Sequence, residues 1–252
     1  MKALLAPERR PIMATAVVCL LLYSVAGFYL RENNFVTFRV FFNFFSDNAF
    51  LGVIALGLTL VIITGGIDLS VGSMAGCASI MAASLITNRG IHPLLAFGIV
   101  CLFGATVGLI QGFLIARYQL APFLITLGGL FFCRGVGLLI SREATSITNP
   151  LVQKLGSPAI NVLGGPIFWP AFIFIVLAVV MAFVLRQTRF GRTLFAIGGN
   201  APSAHLMGLP VNRSLTLAYA LSGAFAAIGG IHTAIYTGSG NATAGTGLEL
   251  DA

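Results

Sequence analysis

Charge is what this 252-residue sequence has least of. Only 8% of its residues are Asp, Glu, Lys or Arg, against about 25% in a soluble domain. The hydrophobic share is 58% and the mean hydropathy is +0.98. That balance excludes an ordinary soluble domain and indicates an integral membrane protein. The only lysines are Lys2 and Lys154, and no G-x-x-x-x-G-K-[ST] segment occurs, so ATP hydrolysis by the phosphate-loop route is excluded. Asp68 is the single acid inside the long apolar runs, so the chain of titratable groups that a proton relay needs is missing. A proton-driven carrier is thereby disfavoured, while a sodium-driven one, which can use backbone carbonyls, stays open. No Ser/His/Asp arrangement, metal cluster or phosphate site supports a membrane enzyme. The cysteines Cys19, Cys77, Cys101 and Cys133 all lie inside apolar runs, which speaks against a disulfide framework. The net charge of +7 does not indicate nucleic acid, because basic residues at span ends are the usual topology signal.

What is present is a series of apolar runs. Ile12–Leu30 is long enough to cross a bilayer. Lys2, Arg9 and Arg10 with Ser24-Val25-Ala26 also fit a signal peptide. The membrane-embedded chain behind it favours an uncleaved first helix. The aromatic stretch from Arg31 to Asn48, with Phe35, Phe38, Phe41, Phe42, Phe44 and Phe45 around Arg39, fits an interfacial helix or a segment packed on the bundle, or else an early start to the second span. Further spans are read at Phe50–Ile63, Val71–Thr87, Leu94–Ala116, Pro122–Ile140, Ile167–Leu185 and Ser214–Tyr236, with a polar connection over Ser141–Gly165. The expected fold is an all-α polytopic transmembrane bundle of about seven spans. Gly104, Gly108 and Gly112 lay a glycine stripe along one face for close helix packing, and Arg134 is an intramembrane arginine that either acts or snorkels. Leu102-x-Gly104-Ala105 recurs as Leu221-x-Gly223-Ala224, too short a match to establish an inverted repeat.

One stretch stands out, Thr64-Gly65-Gly66-Ile67-Asp68-Leu69-Ser70-Val71-Gly72-Ser73. It breaks the apolar region between two short runs, and Asp68 or Ser70 can cap the helix that follows. A carboxylate at the centre of a membrane helix costs about 2.5–3.5 kcal/mol. Asp68 is therefore expected at an interface or at a wet cavity, at the inner end of a broken hairpin. Gly65, Gly66, Asp68, Ser70 and Gln111 are the candidates for lining a polar pathway. Gln111 alternatively makes an interhelical hydrogen bond.

The most basic stretch runs from Arg186 to Arg213. Within it Asn200 suits an N-cap, Pro202 a first turn and Gly208 a C′ position, which predicts a helix of about two turns. Such a helix is too short to be stable alone. It fits a docking element for a soluble partner or a loop helix packed on the bundle or the headgroups. With the N-terminus inside, the inner segments carry Lys2, Arg9, Arg10, Arg117, Arg186, Arg189, Arg192 and Arg213, and the outer ones Arg31, Arg39, Arg89, Arg142 and Lys154.

The 64–73 stretch resembles the signature of permease subunits of bacterial ABC sugar importers of the ribose, arabinose and galactofuranose class. Arg189-Phe190-Gly191-Arg192, Ala196-Ile197-Gly198-Gly199-Asn200 and Gly247-Leu248-Glu249-Leu250-Asp251-Ala252 match further blocks in order, and Asp47-Asn48-Ala49-Phe50-Leu51-Gly52 is similar to the galactofuranose-type permease. The resemblance covers nearly the whole chain. It implies a single transmembrane permease domain over 1–252 in the bacterial inner membrane, without enzymatic activity or cofactor of its own. The implied partners are an ABC ATPase subunit, a second permease subunit, a periplasmic sugar-binding protein, membrane lipid and the sugar itself. Coupling to the ATPase would fall to Arg192, Asn200, Ser203, Ala204, Leu206, Met207 and Gly208. The family pattern continues beyond Ala252, so the C-terminal part of the domain is expected to be missing through truncation, a partial sequence or a split protein. A non-transporting scaffold or assembly remnant is the alternative.

Overall fold

The computed structural model describes residues 10–30, 35–162 and 165–248. Lys2 and Arg9, Arg31, and the Glu249–Ala252 end of the last family block lie outside the described residues. The chain is an all-α polytopic membrane protein, with short strands confined to the connections.

The axis of the bundle is α10 (Val211–Thr237), 27 residues long and so about 40 Å at 1.5 Å per residue. Against it runs α5 (Pro93–Tyr118), started by a proline whose missing N–H costs nothing in a first turn. Gly104 faces Gly223, Gly108 faces Tyr219 and Ala220, and Gly112 faces Thr216, so the two helices are antiparallel. A side chain on any of these glycines would run into the backbone of α10. The glycine stripe is therefore what brings the two longest helices together. The two similar tetrapeptides meet there, each glycine against the other's carbonyl.

The helices α3 (Ala49–Ile63) and α4 (Val71–Thr87) scarcely touch through their backbones and straddle α10 instead. Ile54 meets Gly229 and Gly57 meets Phe225 and Ser222, so α3 descends against the direction of α10. Asp68 meets Ser222 and Ala75 meets Gly230, so α4 returns along it. The bend between them lies in the first half of α10, with Gly66 at Tyr219 and Asp68 at Ser222. The chain is thus a hairpin opened around a third helix.

Around this centre lie α6 (Pro122–Ile140), packed on α4, and α8 (Trp169–Gln187), packed on α3. Among the described residues four helices, α5, α6, α8 and α10, are long and apolar enough to cross a membrane singly. A fifth crossing appears if α2 (Phe38–Asp47) and α3, bent by 52°, count as one. α4 and the Met13–Tyr29 part of α1 (Arg10–Tyr29) are shorter apolar helices. α4 is rich in small residues and buried along most of its length, so it needs less hydrophobic surface than a lipid-facing span.

Three segments carry more structure than the sequence reading described. The aromatic stretch holds a separate helix, α2, whose N-cap Thr37 accepts a hydrogen bond from the Val40 N–H. It packs on a strand hairpin, with Phe38 and Phe42 against Gly165. The supposed polar connection is folded: α7 (Pro150–Leu155) and the hairpin β2 (Pro158–Val162) with β3 (Gly165–Phe168) lie within it, and β1 (Thr145–Ser146) pairs antiparallel with β4 (Ser239–Gly240). In the basic stretch the expected short helix after Asn200 is present, and a further helix precedes it: α9 (Arg189–Leu206) is two helical pieces meeting at Asn200, where φ is −162° and ψ 101°. It underlies α3, with Gly198 against the Ile63 carbonyl.

Candidate functional site

The break between α3 and α4 is built from local chemistry. The Thr64 hydroxyl donates to the Val61 carbonyl at 2.7 Å, ending α3. Gly65 takes φ 78°, a conformation that side chains disfavour, and the chain reverses. Gly66 comes so close to the Tyr219 hydroxyl that no side chain fits. Asp68 then turns inward and is 2% exposed. Of the two settings expected for it, an interface or a wet cavity, the structure shows an interior one lined by polar side chains. The carboxylate is buried beside Ser222, near the middle of α10, because hydroxyls replace water around it. Its Oδ1 accepts the Ser70 N–H at 3.0 Å and the Ser70 hydroxyl at 2.6 Å, and its Oδ2 accepts the Ser222 hydroxyl at 2.8 Å. Hydrogen bonds to charged groups contribute about 1.5–3 kcal/mol each, enough together to offset a substantial desolvation cost. Ser70 occupies the N-cap position of α4 with no side-chain capping bond, and Asp68 acts from two residues earlier.

The cluster extends to α5 and α6. Gln111 is buried, with Oε1 3.2 Å from the Ser70 hydroxyl and Nε2 lacking a partner. The Ser70 hydroxyl has a single proton, and the shorter bond to Asp68 takes it. With the amide turned over, Nε2 donates to Ser70 and the carbonyl is left without a partner. In either orientation one polar atom of Gln111 faces Gly129, where any side chain would overlap the amide. The Ile67 carbonyl is approached by the hydroxyls of Thr126, at 3.4 Å, and Tyr219, at 3.5 Å. Of the sequence-derived pathway set, Asp68, Ser70 and Gln111 come together, Gly66 adjoins them against Tyr219, and Gly65 lies apart at the exposed turn.

At the α9 end a second constellation forms. The Asn200 side chain accepts from the Ser203 N–H at 2.8 Å, so it caps the short helix after the break, and Gly208 takes φ 77° just beyond its end. Leu206 and Met207 are 87% and 69% exposed, and Ser203, Gly208 and Arg192 also face outward. Ala204 does not. It is fully buried with Ile197 and Val211, and holds the short helix to the bundle. Among the described residues no group of His, Cys, Asp and Glu could hold a metal ion.

The family model described as "branched-chain amino acid transport system / permease component" matches residues 40–252. The chain belongs to this family of ABC-importer permeases. It is 42% identical over 245 residues to the inner membrane ABC transporter permease protein YjfF of Escherichia coli, covering 96% of this chain and 73% of that one. It is 35% identical to the fructose import permease protein FruG of Bifidobacterium longum, covering 96% and 72%, and 32% identical to the ribose import permease protein RbsC of Escherichia coli, covering 92% and 72%. No solved structure matches.

In this permease three features of the site escaped the sequence reading. Ser222 and Tyr219 supply a hydroxyl to Asp68 and one towards Ile67, from about 150 residues away in sequence. Gly129 makes the space for Gln111. The segment after α10 turns back into the bundle along α4, with Gly240 against Ser79 and Ala83, Ala242 against Gly76, and Gly245 against Gly72. Arg134 reaches this segment through Thr246 at 3.4 Å. The usable signals were the glycines on α4 and α6, which mark backbone contact without naming the partner.

Proposed function

We propose that this permease is a membrane subunit of an ATP-binding-cassette importer that passes a monosaccharide across the bacterial inner membrane. The observation that carries the reading is the buried polar cluster of Asp68, Ser70, Gln111 and Ser222, where the break between α3 and α4 meets α5, α6 and α10. A neutral sugar needs hydroxyl-matching groups without a strong opposing charge, and this cluster presents amide and hydroxyl groups around a carboxylate already satisfied by serines. The names of FruG and RbsC, fructose and ribose import permeases, support a sugar as the cargo. Galactofuranose is the first sugar to test, on the likeness of residues 47–52.

The α9 end faces the cytoplasm in this reading, together with the N-terminus. Arg117, Arg186, Arg189, Arg192 and Arg213 all lie at that end, as the positive-inside rule asks. ATP hydrolysis belongs to a partner ATPase, which the short helix after Asn200 engages through Ser203, Leu206 and Met207, as short helices dock into grooves. A second permease subunit and a periplasmic sugar-binding protein complete the assembly. Uptake of labelled monosaccharides by cells carrying the full gene cluster, with and without this chain, tests the reading. Uptake that does not depend on the chain for any monosaccharide overturns it.

A further inference from the structure

Among the described residues, the bundle end that carries α9 is basic without acidic partners. Among the described acids, Asp68 is buried on serine hydroxyls, Asp47 bonds Tyr236 at the far end of α10, and Glu143 follows the far end of α6. Two cavities flank Arg213. One, about 550 Å³, lies between α9 and α10 and is lined by Arg189, Arg192, Thr193, Arg213 and Ser214. The other, about 440 Å³, lies between α5 and α10 and is lined by Arg117 and Arg213 together with Phe113 and Leu217. Phe113 and Leu217 sit one helical turn deeper in the span than Arg117 and Arg213, and both are exposed. Both α9 and α10 begin at this place with no acid in the first turn, so their positive dipole ends add to the arginines.

We propose that these adjoining cavities form a site for an anionic phospholipid. The phosphate lies among Arg189, Arg192 and Arg213, with the Thr193 and Ser214 hydroxyls nearby, and an acyl chain lies along Leu217 and Phe113. Guanidinium groups bind phosphate through paired N–H donors. The order of the lining, charge at the helix ends and apolar wall one turn inward, is the order of a lipid molecule. A soluble partner would meet the charge without reaching the wall, and the exposed Leu206 and Met207 remain available to such a partner. The site rests on the chain spanning a bilayer, and stands whichever solute it carries.

The test is native mass spectrometry of the chain released from phosphatidylcholine nanodiscs containing a minor fraction of phosphatidylglycerol. The expected result is preferential retention of phosphatidylglycerol. Replacing Arg189, Arg192 or Arg213 by Gln should lower that preference about fivefold each, while Arg89→Gln at the opposite end should leave it unchanged. Arg213→Lys, which keeps the charge, should retain most of it, and serves where a Gln variant fails to fold. An unchanged preference in the triple Gln variant overturns the proposal. So does displacement of the lipid by inorganic phosphate in solution, which would make the cavities a free-anion site. Crosslinking of a cysteine at 213 to the ATPase, with loss of lipid retention in the assembled importer, would assign the surface to the protein partner instead.

Discussion

Asp68 and Ser222, 154 residues apart in sequence, are joined by a 2.8 Å hydrogen bond inside the bundle. The bond ties the helix break to the central helix α10, and Ser70 holds the same carboxylate from the α4 side.

Asp68→Leu should lower thermal stability and uptake severely, because it strands the Ser70 and Ser222 hydroxyls and the Ser70 N–H in the interior. Ser222→Ala should cost about 1–3 kcal/mol by leaving one carboxylate oxygen unpaired. Asp68→Asn, which keeps an acceptor for Ser70 and has a donor for Ser222, should be mild. Melting temperatures of the purified protein and initial uptake rates decide this. An Asp68→Leu variant that melts and transports like the parent refutes the structural role.

Gly108 lies against the Tyr219 carbonyl of α10, whereas Gly98 on the same helix has open space around it. Gly108→Ala should therefore separate α5 from α10 at a cost of about 1–3 kcal/mol, typical of overpacking. Gly98→Ala should be neutral or slightly stabilising, since alanine is the better helix former by roughly 1 kcal/mol. Equal melting temperatures for the two variants would contradict this account of the glycine stripe.

Gly129→Ala should displace the Gln111 amide, because its methyl group would overlap that side chain. Truncating the amide in the same molecule should then restore stability. A double-mutant cycle of Gly129→Ala with Gln111→Ala is expected to show a coupling of about 0.5–3 kcal/mol. Additive effects would mean that the two residues do not share this space.

Asn200→Ala removes the cap of the short helix and should destabilise it by about 0.5–2 kcal/mol. Leu206→Asp and Met207→Asp change only exposed positions, so they should leave membrane insertion intact while weakening ATPase association and uptake. Cysteine at 203 or 207 should crosslink to the ATPase. If neither does, and both Asp variants transport fully, the short helix is not the coupling element. Ala204 is unsuitable for this test, since a large charged residue there would break the packing on Ile197 and Val211.

The sequence by itself determined what local chemistry determines. The scarcity of charge made the chain a membrane protein. Pro93 and Pro122 at helix starts, Asn200 as a cap, and the left-handed turns at Gly65 and Gly208 follow from backbone sterics and orphan N–H groups, which act within a few residues. The lateral order of the helices could not be read in this way. In a bilayer a helix can be apolar on its lipid face and its protein face alike, so hydropathy does not say which side meets a neighbour. Only the tertiary structure decided that α10 passes between α3 and α4 and that Ser222 reaches Asp68. It also turned Ala204 inward while leaving Leu206 outside, and folded residues 239–248 back along α4. Each of these depends on which backbones approach closely, and the glycines that permit the approach carry no mark of their partners.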